Sequence, residues 1–182
     1  MPKIVCGIDE VGRGALAGPL VVASVVFKNY QNVPKNIKDS KKTTQLFRKK
    51  IFRSIVNTAY IGTGCVDACI IDKIGITKAT KIAVEQSIKS NICNKDIILI
   101  DGNIQLNSNH KIINVIKGDC NYISIAAASI VAKFIRDNIM VLKSLEHPVY
   151  HWEKNKGYGT KDHLLAIKLY GITEFHRKTY RM

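Results

Sequence analysis

Residues 7–14 read Gly-Ile-Asp-Glu-Val-Gly-Arg-Gly, so two adjacent carboxylates, Asp9 and Glu10, stand at the end of an apolar run and directly ahead of a glycine-arginine loop. Unpaired charge where a strand leaves the core is costly unless a cation neutralises it. Gly12 and Gly14 let the backbone pass very close to a partner, and Arg13 between them offers a fork of donors suited to phosphate. A cation site beside a phosphate-binding loop is the equipment of phosphodiester chemistry. Taken alone, the octet also reads as an ordinary strand-to-loop junction, because Asp and Gly are common turn residues.

Two further apolar runs end in acids. Ile97-Ile98-Leu99-Ile100 delivers Asp101, and the run from Lys111 to Ile116 leads through Lys117-Gly118 to Asp119. In α/β sheets, sites lie beyond the carboxyl ends of the strands. If the first strand and the strand of residues 97–100 are parallel neighbours, their carboxylates converge. Without cations such groups repel and raise one another's pKa, whereas a pair of Mg²⁺ ions keeps them ionised. Two metals roughly 3.5 to 4 Å apart can activate a water and stabilise the leaving oxygen of a phosphodiester.

The elements that must position these acids can be read from hydrophobic periodicity. A strand is expected at 3–9 and a second at 20–27 after Gly18-Pro19, pairing as antiparallel neighbours. The segment 43–56 carries Phe47, Ile51 and Ile55 at four-residue spacing, which predicts an amphipathic helix. A third strand follows at 59–66, a helix at 77–90, the all-apolar strand at 97–100 and a last strand at 111–116. An apolar run of the 97–100 kind belongs in the middle of a sheet with helices on both faces.

Composition bounds the class. With 182 residues and 46% hydrophobic content, the chain is read as a single domain, 1–182, whose last part, about 147–182, forms a small helical substrate-contacting segment. Twenty-eight Lys and Arg against fourteen Asp and Glu give a net charge of +14, which favours an anionic polymer as partner, with nucleic acid ahead of an acidic membrane surface. No basic amphipathic helix stands apart to serve a membrane. The five cysteines form no CxxC pair, so buried thiols in a reducing compartment are expected. The longest apolar stretch, 20–27, is too short to span a bilayer and follows charged residues, unlike a signal peptide. A cytoplasmic protein is inferred.

The whole chain resembles the ribonuclease HII family, the type 2 ribonucleases H. The resemblance rests on the 7–14 octet with Gly18-Pro19, on Asp39-Ser40-Lys41-Lys42, on Ile100-Asp101-Gly102-Asn103, on Lys117-Gly118-Asp119 with the helix SIAAASIVAK at 124–133, and on Gly157-Tyr158-Gly159-Thr160 with His176-Arg177. It implies a ribonuclease H-like α/β fold, a five-stranded mixed sheet flanked by helices, and cleavage of RNA in RNA-DNA hybrids and at ribonucleotides embedded in duplex DNA, leaving 5′-phosphate and 3′-hydroxyl ends. It further implies Mg²⁺ or Mn²⁺ held by Asp9, Glu10, Asp101 and Asp119, and recognition of the ribose 2′-hydroxyl by Gly12, Arg13, Gly14 and Tyr158. Ser40, Lys41 and Lys42 would bind substrate phosphate. The protein is expected to act as a monomer, and whether it is tethered to a sliding clamp stays open. The related ribonuclease HIII family usually has Lys where Arg13 stands and carries an extra N-terminal domain, whereas this chain starts its first strand almost at Met1.

Other residues invite functional readings that weaken on inspection. His151 and Trp152 could line the substrate path, though Trp152 is better read as a core anchor, and His110, His147 and His163 have no ligand spacing and read as surface or locally hydrogen-bonded histidines. Ala126-Ala127-Ala128 lets a helix lie close to the sheet. Ser124 and Ser129 have no paired base, so a nucleophilic serine is not expected. Lys133 and Arg136, three apart on a helix, share a face, and either phosphate contact or plain solvation suits them. An RNA-binding protein without catalysis would account for the charge but not for acids at three strand ends. Another nuclease of ribonuclease H-like fold would account for the acids but not for Tyr158 and the arginine loop.

Overall fold

Every residue of Leu20–Phe27 is buried, which a strand achieves only when it lies inside a sheet covered on both faces. The computed structural model describes residues 3–35, 37 and 45–181. Five strands form one sheet in the order β3-β2-β1-β4-β5, where β1 is Val5–Val11, β2 Leu20–Phe27, β3 Ala59–Val66, β4 Ile97–Asp101 and β5 Lys111–Val115. The pairs β1–β2 and β2–β3 are antiparallel, while β1–β4 and β4–β5 are parallel. A mixed five-stranded sheet with helices on both faces is the arrangement that the resemblance implied.

Strand alternation divides the core in two. On one face Val21, Val25 and Phe27 pack against Ile51 and Ile55 of α1 (Gln45–Thr58) and Ile130 and Val131 of α5 (Ile123–Glu146). On the other, Cys6, Ile8, Val22, Ile98 and Ile100 meet Ile71 of α2 (Ala68–Ile74) and Ala79, Ala83 and Val84 of α3 (Ile76–Ser90). Burying such aliphatic side chains contributes about 1.5 to 3 kcal/mol each.

The close approach of α5 to β1 sets up the site. A side chain at Gly7 would run into the backbone of Ser124 and Ile125, and Ala126, Ala127 and Ala128 are buried against the sheet. Small residues on both elements therefore bring the helix onto the strand that carries the acids. The short α4 (Gly118–Asn121) precedes α5, and α6 (Trp152–Asn155) and α7 (Lys161–Tyr170) follow it. Thr160 caps α7 by accepting from the His163 backbone N–H at 3.3 Å, and Gly171, at φ 78°, ends it.

Some expectations change. Helix α2 has no counterpart in the periodicity reading, because its seven residues are too few to display a period. Helix α1 runs on to Thr58, and the expected start at residues 43 and 44 lies outside the described residues. The thiols are not uniformly buried. Cys6 is, but Cys65, Cys69 and Cys120 are exposed and Cys93 half-buried, since β3 is an edge strand and the others sit on short peripheral helices and a loop.

Candidate active site

Two parallel strands in register bring two acids together. The last paired residues of β1 and β4 are Ile8 and Ile100, so Asp9 and Asp101 stand next on adjacent strands, on the face that Gly7 presents to α5. Asp9 is only 7% exposed. Its Oδ1 accepts the Glu10 backbone N–H at 2.8 Å, and it is hydrogen-bonded by the Ser129 hydroxyl from α5. Burial pushes the Asp9 carboxyl up to about 6, with Glu10 and Asp101 adding repulsion that the Ser129 bond only partly offsets. Glu10 is also raised, first by burial and then by Asp101, against the pull of Arg13.

Asp101 Oδ1 accepts the Gly118 backbone N–H at 3.1 Å. That bond ties the end of β4 to the start of α4, whose first turn carries Asp119. Asp119 is half-buried there and does not line the cleft formed by the other three acids. The donors are hard carboxylate oxygens, with Arg13 the cation that acts on Glu10, a chemistry that fits Mg²⁺ or Mn²⁺. Among the described residues no three acids, histidines or cysteines already stand as a closed ligand set.

The acids open onto a cleft of about 570 Å³ that also receives Gly12, Arg13, Gly14 and Tyr158, with Arg48, Ser129 and Lys133 on its walls. The sequence-predicted residues 9, 10, 12, 13, 14, 101 and 158 are thus brought together. Ser40, Lys41 and Lys42 lie outside the described residues. Ser129 and Arg48 were not singled out as site residues. Ser129 directly follows the Ala126–Ala128 run, and only the packing of α5 on β1 reveals that it meets Asp9.

The glycine loop is held from behind by two buried guanidinium groups. Arg136, fully buried, donates from Nε to the Pro19 carbonyl at 2.9 Å, from Nη2 to Ala17 at 3.0 Å and from Nη1 to Lys156 at 2.8 Å. Arg177, equally buried, donates to the Gly18 carbonyl from Nε and Nη2 at 3.1 and 2.9 Å and to the Arg13 carbonyl from Nη1 at 3.0 Å. Burial pushes the Arg136 guanidinium down to about 10, which leaves it charged at neutral pH. Gly12 has φ 99°, and a side chain there would strike the Arg136 side chain. Phosphate contact by Arg136 is therefore ruled out, because the face it shares with Lys133 turns inward one turn further along α5. Lys133 does reach the cleft wall, and pairs with Asp137 at 2.7 Å.

Tyr158 stacks its ring over the Arg136 guanidinium, 5.2 Å from its carbon. Its segment is stitched to the glycine loop by the Gly157 carbonyl, which accepts the backbone N–H groups of Leu16 and Ala17 at 2.8 and 3.1 Å. Behind Tyr158 lies an aromatic cluster. Trp152 is a fully buried core anchor, as expected, and its indole Nε1 donates to His163 Nε2 at 3.0 Å. His163 and His176 are also buried rather than at the surface. Burial, then His163 and His147, pushes His176 down to about 4, and burial lowers His163.

A family model described as ribonuclease HII matches residues 6–182. The ribonuclease HII of Rickettsia canadensis (strain McKiel) is 44% identical over 98% of this chain and 90% of its own, and that of Wolbachia sp. subsp. Brugia malayi (strain TRS) is 42% identical over 97% and 87%. Among solved structures, ribonuclease H2 from Pyrococcus horikoshii OT3 superposes with a TM-score of 0.76 at 25% identity, over 97% of this chain and 93% of that one. The ribonuclease HII in a PCNA complex from Archaeoglobus fulgidus gives 0.85 at 22% identity, over 98% and 96%, and shares the fold. Bst-RNase HIII solved with Mn²⁺ gives 0.72 at 18% identity, over 98% of this chain and 67% of that one. With near-complete coverage by the family model and by relatives above 40% identity, this chain belongs to the ribonuclease HII family and is a ribonuclease H-type hydrolase.

Proposed function

We propose that the protein is a metal-dependent endoribonuclease that cuts the RNA strand of RNA-DNA hybrids and nicks duplex DNA on the 5′ side of a single embedded ribonucleotide, leaving 5′-phosphate and 3′-hydroxyl ends. The observation that carries this reading is the opening of Asp9, Glu10 and Asp101 into the same cleft as the Gly12–Gly14 backbone and Tyr158. Asp9, Glu10, Asp101 and Asp119 are the residues to hold Mg²⁺ or Mn²⁺, which when bound would supply an activated water and charge stabilisation at the leaving oxygen.

The chain's own residues supply the selectivity. The 2′-hydroxyl both donates and accepts, and it alone separates ribose from deoxyribose. The glycine backbone can approach it where a side chain would clash, and the Tyr158 ring, braced on Arg136, offers a flat surface for the junction sugar. Ser129 orients Asp9, and Gly118 orients Asp101. Arg13, Arg48 and Lys133 give the cleft its positive wall for substrate phosphates, and Ser40, Lys41 and Lys42 extend that contact. The chain acts as a monomer, a single catalytic domain in which residues 147–182 contact substrate. Among the described residues no helix is long and apolar enough to cross a membrane, and the site of action proposed is the cytoplasm.

The test is cleavage of three duplexes, one all DNA, one with a single ribonucleotide and one RNA-DNA hybrid, with Mg²⁺, with Mn²⁺ and with chelator. The single-ribonucleotide duplex should be cut at its 5′ side and the all-DNA duplex left intact, with no cleavage in chelator. Comparable cutting of plain DNA would overturn the reading.

A further inference from the structure

Tyr158 is held at its backbone as well as at its ring. Its carbonyl accepts from His163 Nδ1 at 2.9 Å and from the Thr160 backbone N–H at 2.8 Å. A carbonyl only accepts, so the His163 hydrogen must sit on Nδ1 and its Nε2 must present a lone pair. That lone pair faces the Trp152 indole N–H at 3.0 Å and His176 Nε2 at 3.2 Å. His176 in turn receives the Thr173 backbone N–H on Nδ1 at 2.9 Å, so its own hydrogen is on Nε2 and points at His163. Every polar atom of the two imidazoles is thereby used, in one tautomeric arrangement, inside the aromatic cluster of Tyr150, Trp152 and Phe175.

We propose that His163 and His176 are positioning residues which, through the Tyr158 carbonyl, set the Tyr158 ring against the cleft and so determine how strictly a ribose is required at the cut site. Neither imidazole lines the cleft. They act as a rigid chain from Thr173, beyond α7, to the residue proposed to read the junction. The proposal rests on that role for Tyr158. An asparagine at 163 places an amide donor where Nδ1 stands and so keeps the bond to the Tyr158 carbonyl, and a glutamine at 176 places one where Nε2 stands and so keeps the bond to His163; each change preserves that one link while leucine removes it.

The experiment measures kcat/KM on a single-ribonucleotide duplex and on an RNA-DNA hybrid for His163→Asn, His163→Leu, His176→Gln and His176→Leu, each alone and combined with Tyr158→Ala, with melting temperatures recorded alongside. The Leu variants are expected to lower the ratio of the two activities by roughly three- to tenfold, the effect of one lost neutral hydrogen bond, and the Asn and Gln variants to retain it. In the Tyr158→Ala background the histidine changes should leave the ratio where Tyr158→Ala alone puts it. If the Leu variants lower the ratio equally in both backgrounds, or change only the melting temperature, the proposal is wrong while the reading of Tyr158 stands. If Tyr158→Ala itself leaves the ratio at the wild-type value, the reading of Tyr158 falls and takes the proposal with it. Should a Leu variant not fold, loss of the ratio in His163→Asn or His176→Gln refutes the assigned hydrogen-bond directions on its own.

Discussion

Replacing Asp9 with Asn should stabilise the metal-free protein while abolishing catalysis, and the pH dependence identifies the cause. The carboxyl is raised from 3.8 to about 6 by burial and by Glu10 and Asp101, which corresponds to about 3 kcal/mol of strain in the ionised form. The folded pKa lies above the unfolded one. The contribution of Asp9 to stability is therefore complete below about pH 4, declines as pH rises to about 6 and stays low above it. Asparagine has the same shape, carries no charge and can still accept from the Glu10 N–H and the Ser129 hydroxyl. Allowing about 1 kcal/mol for weaker hydrogen bonds, the variant should gain about 1 to 2 kcal/mol over wild type at pH 7.5, or about 3 to 6 °C in Tm for a chain of this length. At pH 4 that gain should vanish. The assay is thermal or urea unfolding in chelator at both pH values, repeated with Mn²⁺, which should stabilise wild type far more than the variant. Single-turnover cleavage by the variant should fall at least ~100-fold. A variant that is less stable than wild type at both pH values, or one that cuts at a near wild-type rate, would refute the argument that a strained carboxylate is kept at Asp9 to hold a cation.

Three further expectations follow from the geometry. Gly12→Ala places a side chain at φ 99° against Arg136 and should lower stability by about 2 kcal/mol or more, whereas Gly14→Ala meets open space and should unfold like wild type, so any loss of cleavage there reports substrate approach. Relative to a His176→Gln variant, wild-type stability should fall by up to about 3 kcal/mol as pH drops from 6.5 to about 4, because a histidine whose folded pKa is depressed stabilises fully above the unfolded pKa and loses that contribution on acidification; equal acid sensitivity in the two proteins would place His176 in a solvated setting. Lys41→Ala with Lys42→Ala should weaken binding to every duplex alike and flatten the log-log salt slope by roughly 0.9 per lost contact, and an unchanged slope would place both lysines in bulk solvent.

What the sequence determined by itself is local in origin. Strand periodicity located β1, β2, β3 and β4 to within a residue or two, and the acids at their ends followed from where the apolar runs stop. Closely spaced glycines marked the loop, and at Gly12 the reason is that a side chain at φ 99° would strike Arg136. The order of motifs along the chain carried the family. What only the tertiary structure decided concerns contacts between distant positions. Arg177 reaches the Arg13 carbonyl from 164 residues away, and Arg136, which looked like a surface cation, is drawn inward by carbonyls 117 and 119 residues away. His163 has no ligand spacing and His176 enters the sequence reading only as part of a motif, yet the turn after α7 folds one onto the other. No period or motif encodes such pairings, since they depend on sheet register and on how closely small residues let α5 approach β1. A buried polar group also reveals its partner only once the fold has removed water and left one donor or acceptor within reach.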